Sequence, residues 1–280
     1  MITWTPTSTE AIVSPGETKT VSVSFVSSKN IRRASVQVSP ELATFVHTAP
    51  LSFERIRTGE QQTLTLIVAP SASSTLGTIV GSIQLQRGKV DASDTEADDE
   101  DRRDAGKLLP QPLKVVLNAW NSFTNANLQL AFKFPPFGQP MQVTVTSPRS
   151  GKTIADFQLL DAAQQNFISE FELVIYDNPA HLSLQDWFEQ NIDADGILTA
   201  NGTFQQQQLG NGLVALVLVR TVPEQYAQLN GPVEEAYALS LTGDRVLSIA
   251  QSQENTMFNL GFSQQSITNL LIKMLGTAQF

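Results

Sequence analysis

One stretch of the sequence has the residue types and spacing of a calcium-binding loop. Its residues at loop positions one, three, five, six and nine are Asn191, Asp193, Asp195, Gly196 and Thr199. Oxygen ligands at alternate positions and a glycine at the sixth are what calcium coordination requires. The twelfth position, however, is Gly202, where such loops carry a bidentate glutamate. We interpret the stretch as a helix-to-strand loop, with a weak calcium site at Asn191, Asp193 and Asp195 as the alternative.

The sequence contains no arrangement typical of a catalytic site. Its two histidines, His47 and His181, fall in different predicted domains, and no Gly-x-Ser-x-Gly motif occurs. The neighbouring carboxylates Glu234 and Glu235 would point to opposite faces of a strand. The absence of cysteine excludes disulfides, thiolate catalysis and cysteine-ligated metals. We predict that the protein is not an enzyme and that His181 packs at a helix entry. A hydrolase with a pocket in the second domain, lined by His181 or Trp187, is an alternative.

The formal net charge of −9 is unevenly distributed. Residues 121–280 carry 14 acids and 6 bases, whereas residues 1–120 carry 13 acids and 12 bases. Within the first half, residues 91–104 hold 8 acids and 2 bases, which leaves 5 acids and 10 bases on the rest. A run of like charges with no apolar side chain beyond alanine cannot offset its ordering entropy, so we interpret 91–104 as an acidic loop. Calcium binding by its carboxylates is an alternative.

Five of the bases in the first half form a candidate patch for an anionic partner. They are Lys29, Arg32, Arg33, Arg55 and Arg57. An anionic polymer, a lipid surface and the acidic loop of the same domain are the three candidate partners. Nucleic acid is not expected as a partner, because the chain as a whole is acidic and repels a polyanion.

Length and composition favour two domains outside the cytoplasm. The chain has 280 residues, of which 41% are hydrophobic and only 16% charged; two cores fit this length better than one. No run of 18 apolar residues exists, so no transmembrane segment is expected. The first residues lack the basic and apolar regions of a signal peptide. We favour an extracytoplasmic protein whose N-terminal segment has been removed, with a cytoplasmic location as the alternative.

The first half has the period-two alternation of half-buried strands, separated by turn residues. Strands are predicted at 21–25, 34–38, 64–68, 79–85 and 113–117. The spacing predicts an antiparallel β-sandwich. A Pro15-Gly16-Glu17 turn before a Thr/Val/Ser strand, Gly59 before 63–66, and the 77–83 stretch together resemble bacterial immunoglobulin-like domains of surface and secreted proteins. The resemblance covers residues 1–119 and implies a spacer or adhesive module; the insert at 91–104 departs from the compact pattern.

The second half alternates predicted strands with two helices. The strands are predicted at 128–134, 141–146, 154–159, 171–176, 203–208, 213–221, 235–241 and 245–251. Ser183 stands as an N-cap, with Asp186 placed to complete a capping box. The last helix repeats its apolar residues at spacings of three and four and ends near Gly276; these residues are Ile267, Leu270, Leu271, Met274 and Leu275.

This order of elements resembles the PsbP-like α-β-α fold. The residues that carry the resemblance are Phe132–Pro136, the 177–187 stretch with its Ser-Leu-x-x-Trp helix, the 243–249 hairpin and strand, and the closing helix before 277–280. Bacterial lipoproteins and photosystem II extrinsic proteins have this fold, and the resemblance implies an accessory role in binding or stabilising other proteins. It covers residues 127–280. Residues 120–126 are a predicted connector whose Trp120 and Phe123 enter the domain interface.

The fold class expected from these observations is a two-domain chain. An all-β immunoglobulin-like sandwich is followed by an α+β PsbP-like antiparallel sheet flanked by helices. The expected function is a non-enzymatic extracytoplasmic binding or accessory protein that contacts another protein or a cell-surface component. A calcium-responsive adhesion or structural module and the hydrolase are the alternatives.

Overall fold

A computed structural model of the chain is mostly β-sheet and divides into two compact units, Met1–Asn121 and Ser122–Phe280. The structure describes residues 1–88, 105–136, 141–146, 152–160, 167–194, 196, 202–220, 233–240, 242–251 and 264–280. Asp195 and the acidic loop 91–104 lie outside these ranges. Neither described helix is long and apolar enough to cross a membrane.

The first unit is a β-sandwich of nine described strands. They are β1 (Ile2–Thr5), β2 (Ser8–Val13), β3 (Lys19–Ser27), β4 (Ile31–Val38), β5 (Val46–Ala49), β6 (Ser52–Ile56), β7 (Gln61–Val68), β8 (Gly77–Arg87) and β9 (Leu113–Ala119). One sheet has the order β1-β3-β7-β5 and the other the order β2-β9-β8-β4-β6. Both sheets contribute to one hydrophobic core.

Strict alternation of apolar and polar residues builds this core. In β3, Val23, Phe25 and Ser27 are buried while the residues between them are partly exposed, as a period-two pattern requires. The Phe25 ring lies 4.9 Å from the Trp4 ring within its own sheet and 5.3 Å from the Phe53 ring of the other sheet. The side chains that face inward therefore hold the two sheets together.

The expectation of a wholly antiparallel sandwich was wrong at one strand pair. After β1 the chain leaves the first sheet, turns at Pro6 and enters the second sheet as β2. There β2 runs parallel to β9, with Ser8 opposite Lys114 and Val13 opposite Ala119. The alternation within β2 predicts a half-buried strand, but it carries no information about the direction of the partner.

The far end of β8 pairs with residues 106–109 rather than with β9. The Arg87 N–H donates to the Lys107 carbonyl at 3.0 Å, and the Leu109 N–H donates to the Leu85 carbonyl at 2.7 Å. Gly88 follows, and its N–H donates to the Arg33 carbonyl of β4. The segment that contains the acidic tract is thus fixed to β4 at its start and to β8 at its end.

The second unit is built on a seven-stranded sheet and a two-stranded hairpin. The nine described strands are β10 (Asn121–Asn125), β11 (Leu130–Phe134), β12 (Met141–Thr146), β13 (Lys152–Leu160), β14 (Phe167–Asp177), β15 (Gly202–Gln208), β16 (Val214–Arg220), β17 (Val233–Leu239) and β18 (Arg245–Gln251). The sheet order is β12-β13-β14-β18-β17-β16-β15, and every neighbouring pair is antiparallel. The strands β10 and β11 form a separate hairpin.

The first described helix, α1 (Leu184–Asn191), packs on one face of this sheet. Its Leu184, Trp187 and Phe188 are buried against Leu216, Leu218, Tyr237 and Val246. Ser183 is its N-cap, because the Ser183 hydroxyl accepts the Asp186 N–H at 3.1 Å. The Asp186 carboxylate accepts the Ser183 hydroxyl at 2.6 Å, so this contact joins the two side chains rather than reaching the backbone amide of a capping box.

The other helix, α2 (Gln264–Leu275), covers the opposite face together with β11. It contacts β16, β17, β18 and β11, and its Leu270, Leu271, Met274 and Leu275 are buried; the side chain of Ile267 lies outside the described part. The Phe157 ring of β13 lies on the same face and stacks on Phe171 at 4.5 Å. It also packs edge-on against Phe132 of β11 at 5.2 Å. The sheet is therefore enclosed between two apolar layers.

The predicted connector is instead largely a β-strand. Residues 121–125 form β10, and the Phe123 ring lies 5.4 Å from Phe132 and 5.3 Å from Phe157 within the second unit. The Trp120 N–H donates to the Val13 carbonyl of the first unit at 2.9 Å. Polar residues predict a linker here, because β10 buries none of its side chains fully. Pairing with β11, which begins five residues later, makes the stretch the first strand of a hairpin.

Candidate functional site

The five predicted cationic residues lie on the β4–β6 edge of the sandwich and on the turns that flank it. We call this set the cationic edge: Lys29, Arg32, Arg33, Arg55 and Arg57. In the β4–β6 ladder Arg32 lies directly opposite Arg55. The Thr58 N–H donates to the Asn30 side-chain oxygen at 3.0 Å, which fixes the turn after β6 against the turn before β4. The β4–β6 register therefore brings together basic residues that are about twenty-five positions apart in the sequence.

A backbone irregularity concentrates the charge further. Arg33 has a φ of 51°, in the left-handed region that non-glycine residues rarely adopt. Because of this bend, two consecutive arginines, Arg32 and Arg33, lie between the buried Ile31 and Ala34. A regular strand would have turned one of them inward. Such a conformation costs on the order of 1 kcal/mol and recurs at functional sites, although Gln111, Gln129 and His181 also adopt it in this chain.

The cationic edge contains one acidic residue within its strands. Glu54 lies 3.9 Å from the Arg33 guanidinium through its Oε2 atom, and its side chain is 89% exposed. Exposed pairs at this distance contribute little, about 0–1 kcal/mol. Arg55 and Arg57 are both exposed. The two strands thus carry three arginines and one glutamate, on a chain whose net charge is negative.

The candidate calcium loop is only partly within the described residues. The Asn191 side-chain amide donates to the Trp187 carbonyl at 2.9 Å, and the buried Asp193 donates its N–H to the Phe188 carbonyl at 3.0 Å. These contacts belong to the end of α1. No group of three His, Asp or Glu side chains that could hold a metal occurs among the residues whose placement is described. With Asp195 outside that part, the calcium site stays a prediction.

The two histidines lie in different units and both are exposed. The expectation that His181 packs at the helix entry was therefore wrong. It has a φ of 50°, and its imidazole borders the turn at Gly243. Trp187 is 2% exposed and lies in the core under α1. The hydrolase alternative requires one of these two side chains to line a cleft; Trp187 does not, whereas His181 is exposed, so the alternative stays a prediction.

A buried asparagine that the sequence did not single out connects two loops of the second unit. Asn178 is 1% exposed, and its side-chain amide donates to the Leu182 carbonyl at 3.0 Å and to the Gly243 carbonyl at 2.8 Å. Its side-chain oxygen accepts the Leu182 N–H at 3.2 Å. Asn178 thereby joins the entry to α1 to the β17–β18 turn. An Asp-Asn-Pro sequence is typical of a turn, but it does not indicate this partner sixty-five residues away.

The same β17–β18 turn holds an ionised carboxylate. Hydrogen bonds from the Thr242 hydroxyl, and then from the Ser240 hydroxyl at 2.9 Å, lower the pKa of Asp244 below its ordinary value of 3.8. Because the pKa is lower in the folded state, the ionised form stabilises the turn above the ordinary pKa. That contribution is lost as pH falls through the folded value.

We expect the substitution Thr242→Val to raise the pKa of Asp244 toward 3.8, because it removes the strongest of these hydrogen bonds. Carbon-detected NMR of the Asp244 carboxyl across an acid titration measures the change. Ser71→Ala removes an exposed hydroxyl from the first unit and serves as the control. An unchanged Asp244 titration in Thr242→Val would contradict the assigned cause.

Comparison with known proteins gives no family assignment. No protein-family model and no curated protein matches the sequence. Among solved structures, the YadV chaperone aligns with 10% identity over 90% of this chain and 99% of that protein, at a TM-score of 0.30. The E. coli chaperone DraB aligns with 8% identity over 60% of this chain and 95% of its own, at a TM-score of 0.29.

A family 123 glycoside hydrolase from Clostridium perfringens also aligns, with 9% identity and a TM-score of 0.28. The alignment covers 41% of this chain and 23% of the hydrolase, so this chain spans about a quarter of that protein. Similarities at these scores do not establish a common fold.

Proposed function

We propose that this chain is a non-enzymatic extracytoplasmic binding protein that contacts an anionic cell-surface component through the cationic edge of its first unit. The observation that carries the proposal is the register that places Arg32 opposite Arg55. Like charges directly opposite each other destabilise a sheet pair. An anionic partner that contacts this register neutralises both charges at once, and the positive φ of Arg33 keeps a third base beside them.

The two units have the fold features that the proposed assignments need. Two facing sheets in about 120 residues support an immunoglobulin-like first unit. An antiparallel sheet with α1 on one face and α2 on the other supports a PsbP-like second unit. Modules of these kinds act through their surfaces, which agrees with a binding or accessory role. The extracytoplasmic location belongs to the same proposal.

Binding to an immobilised sulfated dextran, compared with uncharged dextran, tests the proposal. The wild-type chain is expected to bind the sulfated polymer and to lose affinity as salt is raised, since exposed charges are screened over about 8–10 Å at physiological ionic strength. Arg55→Glu combined with Arg57→Glu should weaken binding about tenfold or more, a loss of about 1.4 kcal/mol or more. Both side chains are exposed, so folding should be retained.

The matched control is Lys19→Glu combined with Lys114→Glu. It changes the net charge by the same amount, but it does so at exposed positions on β3 and β9, away from the cationic edge. Its binding should remain within about twofold of wild type, a difference of about 0.4 kcal/mol. An equal loss in both double variants would mean that only net charge matters, and the proposal would fail.

A further inference from the structure

Among the strands that the structure describes, β15 is the last of the seven-stranded sheet, and it lies beyond both apolar layers. Its four consecutive glutamines, Gln205–Gln208, are all exposed, although successive residues of a strand point to opposite faces. The adjacent strand β16 is different, because Ala215, Leu216, Val217 and Leu218 are all buried. The cover over both faces therefore ends at β16, and β15 presents both of its faces to solvent at these positions.

The edge also lacks the devices that usually prevent strands from pairing with other chains. Natural edge strands carry lysine, proline or bulges that block further pairing. β15 has the sequence Gly-Thr-Phe-Gln-Gln-Gln-Gln, with no charge and no proline, and its ladder with β16 runs without a register shift from Gly202 to Gln208. An uncharged, regular edge of this kind is a template for one more strand.

We propose that β15 is a dimerisation edge that pairs antiparallel with β15 of a second copy of this chain. The side chains select this partner. A glutamine amide is both a donor and an acceptor, so a glutamine run facing its own antiparallel copy satisfies both groups on both strands. The pairing also gives a closed dimer. A two-fold axis between the two β15 strands pairs the edge of one copy with the same edge of the other, so neither copy keeps an open edge there. It would join two seven-stranded sheets into one.

The other edge of the sheet is less suited to this role. β12 is also uncharged, but its one glutamine, Gln142, donates its amide to the Gln158 side chain of β13 at 2.6 Å. In β15 the Gln208 amide donates to the Gly212 carbonyl at 3.1 Å, which leaves Gln205–Gln207 for the pairing. The other residues of β12 are a methionine followed by alternating valine and threonine, which cannot pair amide with amide. The inference concerns the second unit alone. It does not depend on the cationic edge of the first.

Sedimentation velocity of the full chain over a concentration series tests the proposal. Wild type should shift from one chain to two as concentration rises. Gln206→Lys and Gln206→Glu should each raise the dissociation constant about tenfold or more, because like charges meet across the two-fold axis. An equimolar mixture of the two variants should recover the dimer, because each charge then meets its opposite. Circular dichroism checks that both variants are folded.

The matched control is Gln142→Lys, which places the same charge on the opposite edge strand, and it should dimerise as wild type does. Wild type that stays a single chain at every concentration would overturn the proposal. So would a wild-type dimer that persists in both Gln206 variants, or variants that remain apart when mixed, because the contact would then lie on another surface. None of these outcomes changes the expected binding to sulfated dextran. The dimer proposal and the proposal of anionic binding by the cationic edge can therefore be contradicted independently.

Discussion

Replacing Phe157 with alanine is expected to lower the free energy of unfolding of the second unit by about 3–5 kcal/mol. Phe157 is fully buried, and its ring lies within 6 Å of four others; these belong to Phe123, Phe132, Phe134 and Phe171. The substitution leaves a cavity between the sheet and the β10–β11 hairpin, and rings on both sides lose contacts.

Chemical denaturation of the full chain measures this loss, with hydrogen exchange of peptides from β14 and from β3 reporting each unit separately. Phe123→Ala is the matched control, because Phe123 touches the same cluster but is half-buried. It should cost distinctly less than Phe157→Ala. A loss below about 1 kcal/mol for Phe157→Ala would show that the cluster is loosely packed or can close over the cavity.

Asn178→Ala is expected to destabilise the second unit by about 2–4 kcal/mol. The substitution removes three side-chain hydrogen bonds and leaves the carbonyls of Leu182 and Gly243 and the Leu182 N–H without this partner. Each buried polar group left unsatisfied costs about 1–3 kcal/mol. Because Asn178 links two loops, amide exchange should rise at the β17–β18 turn as well as at the start of α1.

Asn191→Ala provides the comparison for Asn178→Ala. Asn191 is exposed at the end of α1, and its amide donates one hydrogen bond, to the Trp187 carbonyl at 2.9 Å. Its replacement should cost no more than about 0.5 kcal/mol. If both substitutions had the same small effect, Asn178 would not join the two loops energetically.

Local pattern was enough to predict most of the strands that face a core on one side. β18 was predicted at the residues that it occupies, and Ser183 was correctly predicted to cap α1. In both cases the signal lies within a few residues: alternation in the strand, and a hydroxyl before an apolar helical face. The cationic edge was also named from sequence, but only the β4–β6 register shows that Arg32 and Arg55 are opposite each other.

The features that sequence reasoning missed depend on distant partners. The parallel direction of β2 is set by β9, more than a hundred residues away. His181 has an apolar neighbourhood in sequence, yet its left-handed backbone turns it toward solvent. The role of Asn178 could not be anticipated, because its partners at the β17–β18 turn are brought near only by the completed sheet.

The strand pair at the middle of the seven-stranded sheet affects how the second unit folds during synthesis. β14 pairs with β18 from Phe171 opposite Gln251 to Asp177 opposite Arg245, so the middle of the sheet joins segments separated by about half of the unit's length. During translation the strands that precede β18 cannot complete the sheet, and their apolar side chains stay exposed until β18 has been synthesised. High contact order of this kind slows folding. Production at low temperature or with slowed translation should therefore raise the yield of correctly assembled chains more through this unit than through the first.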